Sequence, residues 1–476
     1  MDNHSVAFAK EKARMKRALS VFMFVLLLVS MLTIAFKVQP AKSEAAVSRI
    51  ELKYQTSHSS PRGWIYVLVE TSLFGGIEAS LIQYAKDLEF IDGFSVRIYT
   101  VSTDNATAIR SFLQQALPIG LVGCLLVGDI PEAYYEYANY ESGTHIIFQT
   151  DLYFMDLDGV WNDTDGNGWY DTHSGEVCAE IWVGSLKPSM VYGDDILLLN
   201  NYFRKNHLYR TGELTLPRRA LIDLDVYDGW GELFVDSIRA AYEDIVLVND
   251  DEATVASDYR ERLLEGYEWI YLASHGSPGS HTFELHGDWD GSILGTDYRY
   301  IDPHTFFYIY NVCFTTAGYN SVAGSAIFAD TYGLLFIGSR DSADTSLQTH
   351  QYREEFYEAL SEGKCIGEAY LEDIRLYEDM RMVDPEYKIP GVEYGWQIVG
   401  DPSLHISGTA SLHESDVNRD GKIDVRDVAM LSSAFGSYAG HPRWNIECDV
   451  NQDGRIDVAD VARTSRNFGW YDPLFP

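Results

Sequence analysis

Short β-branched or aromatic runs between Trp64 and Ser339 read as strands, several of them apolar on both faces: WIYVLVE, FSVRIYTV, LVGCLLVGDIP, EVCAEIWVGS, RRALIDLDV, YEWIYLAS, TFFYIYNVC and GLLFIGS. A strand with one face in water alternates apolar and polar residues, so unbroken runs demand cover on both faces. Helical stretches lie between many of them, among them EASLIQYAKDLEF, NATAIRSFLQQAL, ILLLNNYFRKNHL and ELFVDSIRAAYEDI. Buried strands alternating with helices specify an α/β fold, a mostly parallel sheet flanked by helices. In such sheets functional groups collect at the carboxyl ends of the strands.

The chain divides into five stretches. Residues 1–46 read as a signal peptide or signal anchor. A cationic run, Lys10 to Arg17, precedes Ala18 to Phe36, which carry no charge. That length lies between a long signal-peptide core and a spanning helix. Small residues at Ser43 and Ala45 favour cleavage near Ala45. Either outcome exports the remainder to the cell surface or beyond, with membrane contact only through this segment. Residues 47–200 and 201–407 form two α/β subdomains, 408–415 a small-residue linker, and 416–476 a domain of different texture.

Thirty-six basic residues face 71 acidic ones, a formal charge of −35. Such a surface repels phosphate backbones and excludes nucleic acid as the principal partner; cations and basic polypeptides suit it better. Cys124, Cys178, Cys313, Cys365 and Cys448 are odd in number and scattered, which is no disulfide framework.

The last stretch contains a duplicated loop. Asp416, Asn418, Asp420, Asp424 and Asp427 stand at positions 1, 3, 5, 9 and 12, with Gly421 at position 6 and the Lys422 carbonyl at 7. Asp449, Asn451, Asp453, Asp457 and Asp460 repeat the pattern 33 residues on, with Gly454 and Arg455 in the matching places. Oxygen donors at this spacing suit Ca2+, a hard cation taking six to eight ligands. Each loop leads into a helix ending in Phe-Gly. This duplicated loop–helix resembles a dockerin, a small all-α calcium-loop domain. The resemblance implies two Ca2+ ions, a cohesin-type scaffold partner, and recognition residues Val425, Arg426, Val458 and Ala459. A third candidate loop places Asp163, Asp165, Asn167 and Asp171 at positions 1, 3, 5 and 9, with Gly168 at 6. Ser174 occupies its position 12, and Glu176 is the nearest substitute.

YEWIYLAS runs into His275-Gly276, and TFFYIYN into Val312-Cys313, 38 residues later. One crossover to an adjacent parallel strand spans that distance, so both side chains emerge at one sheet edge. A histidine beside a thiolate is an activated-nucleophile arrangement. The Gly276 N–H, with that of Cys313 at the start of a helix, offers an oxyanion hole. His281, His286, His304 and His350 have no partner motif. These elements, with LLVGDIPE at 125–132, TDLYFMDLDGVW at 150–161 and GDPSL at 400–404, resemble the gingipain-type caspase-like cysteine peptidases. The resemblance spans about 47–407 and implies an exported cysteine endopeptidase that cleaves proteins or peptides. His275 then acts as base and Cys313 as nucleophile. Its basic-residue pockets imply an acid upstream of the histidine, for which Asp223, Asp225 and Asp228 are candidates. The residues alone also accommodate a non-catalytic calcium-dependent surface protein, or a cysteine transpeptidase on the same pair.

Overall fold

Runs that must be buried on both faces belong in the middle of a covered sheet, and they lie there. The computed structural model describes residues 49–56, 62–138, 145–226, 228–341, 354–383, 394–407, 415–418, 421–438, 440–451 and 453–471. The expected signal segment 1–46, most of the linker 408–415, and Asp420 and His350 lie outside these residues. Among the described residues no helix is long and apolar enough to cross a membrane.

Strands β1 (Arg49–Gln55), β2 (Trp64–Glu70), β3 (Ser95–Ser102) and β4 (Leu121–Val127) come first. Two hairpins follow, β5 (Tyr134–Ala138) with β6 (His145–Gln149), then β7 (Val160–Asn162) with β8 (Thr172–Ser174). Next are β9 (Trp182–Leu186), β10 (Arg219–Leu224), β11 (Asp244–Val248) and β12 (Tyr267–Ala273). An antiparallel three-stranded flap, β13 (His275–Ser277), β14 (Ser280–Leu285) and β15 (Asp288–Leu294), precedes β16 (Thr305–Asn311), β17 (Leu335–Ser339) and β18 (Trp396–Gly400). Eleven strands form one sheet in the order β1-β3-β2-β4-β9-β18-β17-β16-β12-β10-β11. Strands β2, β3, β4 and β9 pair in parallel, as do β10, β11, β12, β16 and β17; β1 and β3 pair antiparallel, as do β17 and β18. Every residue of β12, β16 and β17 is buried, as their unbroken apolar sequences require.

Two expected helix and strand limits change. The stretch ELFVDSIRAAYEDI is helical only over Gly231–Ile238, because the β-branched residues that follow pair with β10 as the edge strand β11. EVCAEIWVGS is a strand only over Trp182–Leu186.

The expected division at residue 200 falls inside the helix Asp195–Arg210, and one hydrophobic core runs from Trp64 to Ile406. The two halves are joined through GDPSL. Buried Asp401 accepts hydrogen bonds from Tyr84 Oη (2.8 Å), Asn206 Nδ2 (2.7 Å) and Arg210 Nη2 (2.7 Å). The same guanidinium pairs with Asp92 and donates to Ser403 Oγ. Removing one partner leaves a buried uncompensated charge, so Arg210→Ala is expected to destabilise this unit by about 3–5 kcal/mol. The exposed pair Arg239–Asp236 is the control: Arg239→Ala should cost less than about 1 kcal/mol in the same denaturant titration.

The C-terminal region has its own small core of Val417, Leu431, Ala434, Cys448, Val450 and Ile456. Helices Val425–Ala434 and Val458–Arg466 follow the two loops. Ile423 of the first loop pairs with Gly469 and Trp470 after the second helix, and Ile456 pairs with Gly436 and Ser437 after the first. This reciprocal exchange explains the matching Phe-Gly endings.

Candidate active site and calcium loops

Strands β12 and β16 are neighbours in register, with Ala273 opposite Asn311. His275 and Cys313 each lie two residues beyond that pair, so the expected crossover places both at one sheet edge. Gly276 is pressed against the Cys313 peptide. A Cβ on it would fall 2.3 Å from Cys313 O and 2.5 Å from Val312 Cγ1, so only glycine fits.

Cys313 does not open a helix. It begins a turn, and the next helix, Val322–Ile327, starts nine residues later. Phe314 takes a left-handed conformation (φ 60°), and its N–H donates to Asp341 O at 2.9 Å. The backbone thus leaves the strand by a sharp strained turn, braced by the chain after β17. Helix-dipole assistance to Cys313 is therefore absent, and any oxyanion donors come from the turn and from Gly276.

Cys313 is half-buried, whereas Cys124, Cys365 and Cys448 are fully buried; all five cysteines remain thiols. His275 is 42% exposed. Its Nε2 lies 3.6 Å from Glu284 Oε1, and its ring meets the edge of Trp289 at 5.2 Å. Sequence reading missed both neighbours. The Pro278-Gly279 turn was the available signal, since it closes Ser277 against Ser280 and puts Thr282 opposite His275. Glu284 then follows on the same face.

The three candidate substrate acids differ in placement. Asp223 is fully buried at the end of β10, 3.5 Å from Arg262, and burial pushes its carboxyl up to about 8 against that guanidinium. It meets no solvent and so offers no direct substrate contact. Asp225, half-buried, accepts the Glu284 N–H at 3.1 and 3.2 Å, which ties the end of β10 to the flap. Burial raises Asp225 to about 7; the Glu284 N–H opposes this, while the Glu284, Asp251 and Asp290 charges reinforce it. Asp228 opens the short 3-10 turn Asp228–Trp230. The acid against His275 is thus Glu284, and Asp225 holds the Glu284 backbone behind it.

A cavity at the same edge is lined by Gly128, Glu132, Asp151, Lys187, Arg340 and Gln397 among others, and by neither His275 nor Cys313. Lys187 Nζ holds Glu132 Oε1 at 2.6 Å, and Arg340 donates to Thr316 O in the turn after Cys313. Arg340 therefore braces the turn from the cavity wall.

The described residues of both C-terminal loops share one arrangement. Gly421 and Gly454 are left-handed (φ 74° and 82°), which frees their N–H groups to donate to Asp416 and Asp449. Asp427 and Asp460 are fully buried and receive the Asn418 and Asn451 N–H groups. Asp424 and Asp457 cap the following helices, and Asp453 accepts the Arg455 N–H. Paired buried carboxylates wrapped round a turn fit a divalent cation. Lys422 and Arg455 point no ligand atom inward by their side chains' chemistry; their carbonyls are the donors in such loops.

In the third loop, Asp163 accepts N–H groups of Gly166, Asn167 and Gly168, and these bonds hold its carboxyl below the usual range. Asp165 and Asp171 approach Glu136 of β5, all three offering oxygens within 4.8 Å of one another. The acid that approaches this loop is thus Glu136 from a neighbouring hairpin, whereas Glu176 is exposed. Asn167 Nδ2 donates to Glu136 Oε1 at 2.7 Å.

Residues 414–468 match the dockerin type I domain. Two solved structures share the fold, each match covering 74% of this chain and 80% of the other. One, described as the structure of a protease, has a TM-score of 0.54 at 13% identity. The other is the Arg-specific cysteine proteinase gingipain R, with a TM-score of 0.50 at 15% identity. No curated protein matches the sequence.

Proposed function

We propose that this chain, which joins a gingipain-type α/β fold to a dockerin type I domain, is an exported cysteine endopeptidase tethered to a cohesin-bearing scaffold. The observation that carries the reading is the contact of Gly276 with the Cys313 peptide, which sets the two strand ends side by side. In this reading His275 takes the thiol proton and Cys313 attacks the scissile carbonyl. Backbone N–H groups of the turn and of Gly276 hold the oxyanion, and the histidine protonates the leaving amine. Water then hydrolyses the thioester, with the histidine as base.

Glu284 beside His275, with Asp225 on its backbone N–H, supports a basic side chain before the cut, these two acids being its partners rather than the buried Asp223. Asp225 ionises near pH 7, so it is neutral below that value and charged above it. KM for an Arg-terminated fluorogenic peptide is therefore expected to fall as pH rises from 6 to 8. Asp225→Asn should flatten that dependence. A panel ending in Arg, Lys, Asn and Asp tests the preference, and cleavage only after Asp would sink it.

Calcium belongs to this reading in two dockerin sites, held by Asp416, Asn418, Asp420, Asp424 and Asp427 and by Asn451 with its four aspartates. A third site of Asp163, Asp165, Asn167 and Asp171, closed by Glu136, would brace the hairpins of the peptidase unit. The dockerin helices present exposed Val425 and Val458 at their first turns, the positions at which cohesin recognition is expected.

A further inference from the structure

The flap that carries His275 is tied at its rim by polar contacts such as Glu284 N–H to Asp225 and Ala256 N–H to Asp290, but puts few side chains into the core. Of the residues in β13, β14 and β15, only His281, Phe283 and Ile293 are buried. Two are apolar and grip without direction. His281 is different: it pairs with Gly276 across the β13–β14 ladder, and its side chain enters the core.

There it meets a chain of hydroxyls. His281 Nε2 lies 3.0 Å from Tyr298 Oη, Tyr298 Oη 2.7 Å from Tyr310 Oη, and Tyr310 Oη 2.5 Å from Tyr259 Oη. All four side chains are fully buried. Tyr310 stands on β16, three residues before Cys313, while Tyr298 and Tyr259 come from the helices Gly295–Ile301 and Ala256–Arg262. Phenylalanine would fill the same space with no polar group to satisfy, so the hydroxyls contribute direction rather than bulk.

We propose that the His281–Tyr298–Tyr310–Tyr259 chain is a positioning network that fixes the flap, and with it His275 and Gly276, against the strand bearing Cys313. The proposal rests on the cysteine-peptidase reading above. His281 does not share the titration of His275: burial, aided by the nearby Arg260 and opposed by Asp297, pushes it down to about 3. It stays neutral over the working range, so the anchor is a fixed hydrogen bond. The groups facing His275 itself are Glu284 and Trp289, and neither belongs to the network.

The test uses the full chain and the pH dependence of Cys313 alkylation by iodoacetamide, with Cys313→Ala subtracting the other thiols. Peptide hydrolysis is measured alongside. Tyr298→Phe keeps the ring and removes the central hydroxyl; His281→Phe removes the flap's end of the chain. Each is expected to lower kcat about tenfold with KM within about twofold, and to move the thiolate limb of the alkylation profile upward by about one unit. Tyr202→Phe is the control, since its buried hydroxyl donates to Leu334 O outside the network. It should lower the thermal midpoint and leave the profile in place. A limb that needs His275 but ignores both network variants overturns the positioning role alone. A wild-type profile indifferent to His275→Ala overturns the dyad and the network together.

Discussion

Cys313→Ala is expected to abolish peptide hydrolysis, a loss of at least about 10⁴ in kcat, without unfolding the protein. The expectation has a structural basis. Cys313 is half-buried in a turn after β16, and the core beneath it is supplied by Tyr308, Ile309 and Tyr310 rather than by the thiol. His275 projects from the flap at 42% exposure, so His275→Ala also removes little packing. It should cost about 10²- to 10⁴-fold, the usual worth of a positioned acid–base group. Gly276→Ala distinguishes geometry from chemistry. Its Cβ would press on Cys313 O, and the two strand ends would have to part by more than a few tenths of an ångström. Misplacement on that scale should lower kcat about 10²-fold even though no reacting atom is removed. Hydrolysis by purified Cys313→Ala at the wild-type rate would remove the thiol from the reaction. Covalent labelling of Cys313 that His275→Ala does not slow would leave the thiol without its base.

The central sheet was legible because its strands are buried on both faces, and a run such as TFFYIYN has nowhere else to go. The edges were less so. β11 is five residues long with only Val248 buried, and β1 is mostly exposed, so their patterns compete poorly with neighbouring helix signals. The joining of the two halves could not be read at all. Arg210 finds Asp401 191 residues away, and no local rule pairs charges at that separation.

The placing of His275 and Cys313 at neighbouring strand ends was legible for a narrower reason. Both residues terminate conspicuous strands, and register follows from pairing. What surrounds them was hidden because it arrives across the flap: Glu284 approaches from β14, and His281 faces inward opposite Gly276. The expectation of a helix after Cys313 failed because Phe314 turns left-handed and gives its N–H to Asp341 O, which ends regular structure at once. Patterns of apolar residues report which face is covered; they carry little about which polar group arrives from another element.

Calcium removal should unfold the C-terminal domain while leaving the sheet intact. Among the described residues its core has seven buried apolar side chains, Ile423 besides the cluster of six, too few to offset the ordering entropy of two loops and two short helices. Asp416, Asp427, Asp449 and Asp460 are buried carboxylates, and burial together with the charge of Asp449 pushes the Asp460 carboxyl up, a strain that a bound cation would relieve. At free Ca2+ a thousandfold above Kd, each site stabilises the folded domain by about 4 kcal/mol. EGTA is therefore expected to remove the helical signal of Val425–Ala434 and Val458–Arg466 and to open this region to proteolysis. Cohesin binding should be lost with them. Mg2+ should not restore it, because a smaller ion demanding regular octahedral ligands does not suit these flexible oxygen-rich loops. Asp427→Ala and Asp460→Ala separate the two sites, since each should abolish one binding event and leave the other. A domain that keeps its thermal midpoint in EGTA would show that the apolar core suffices and that the loops are only turns.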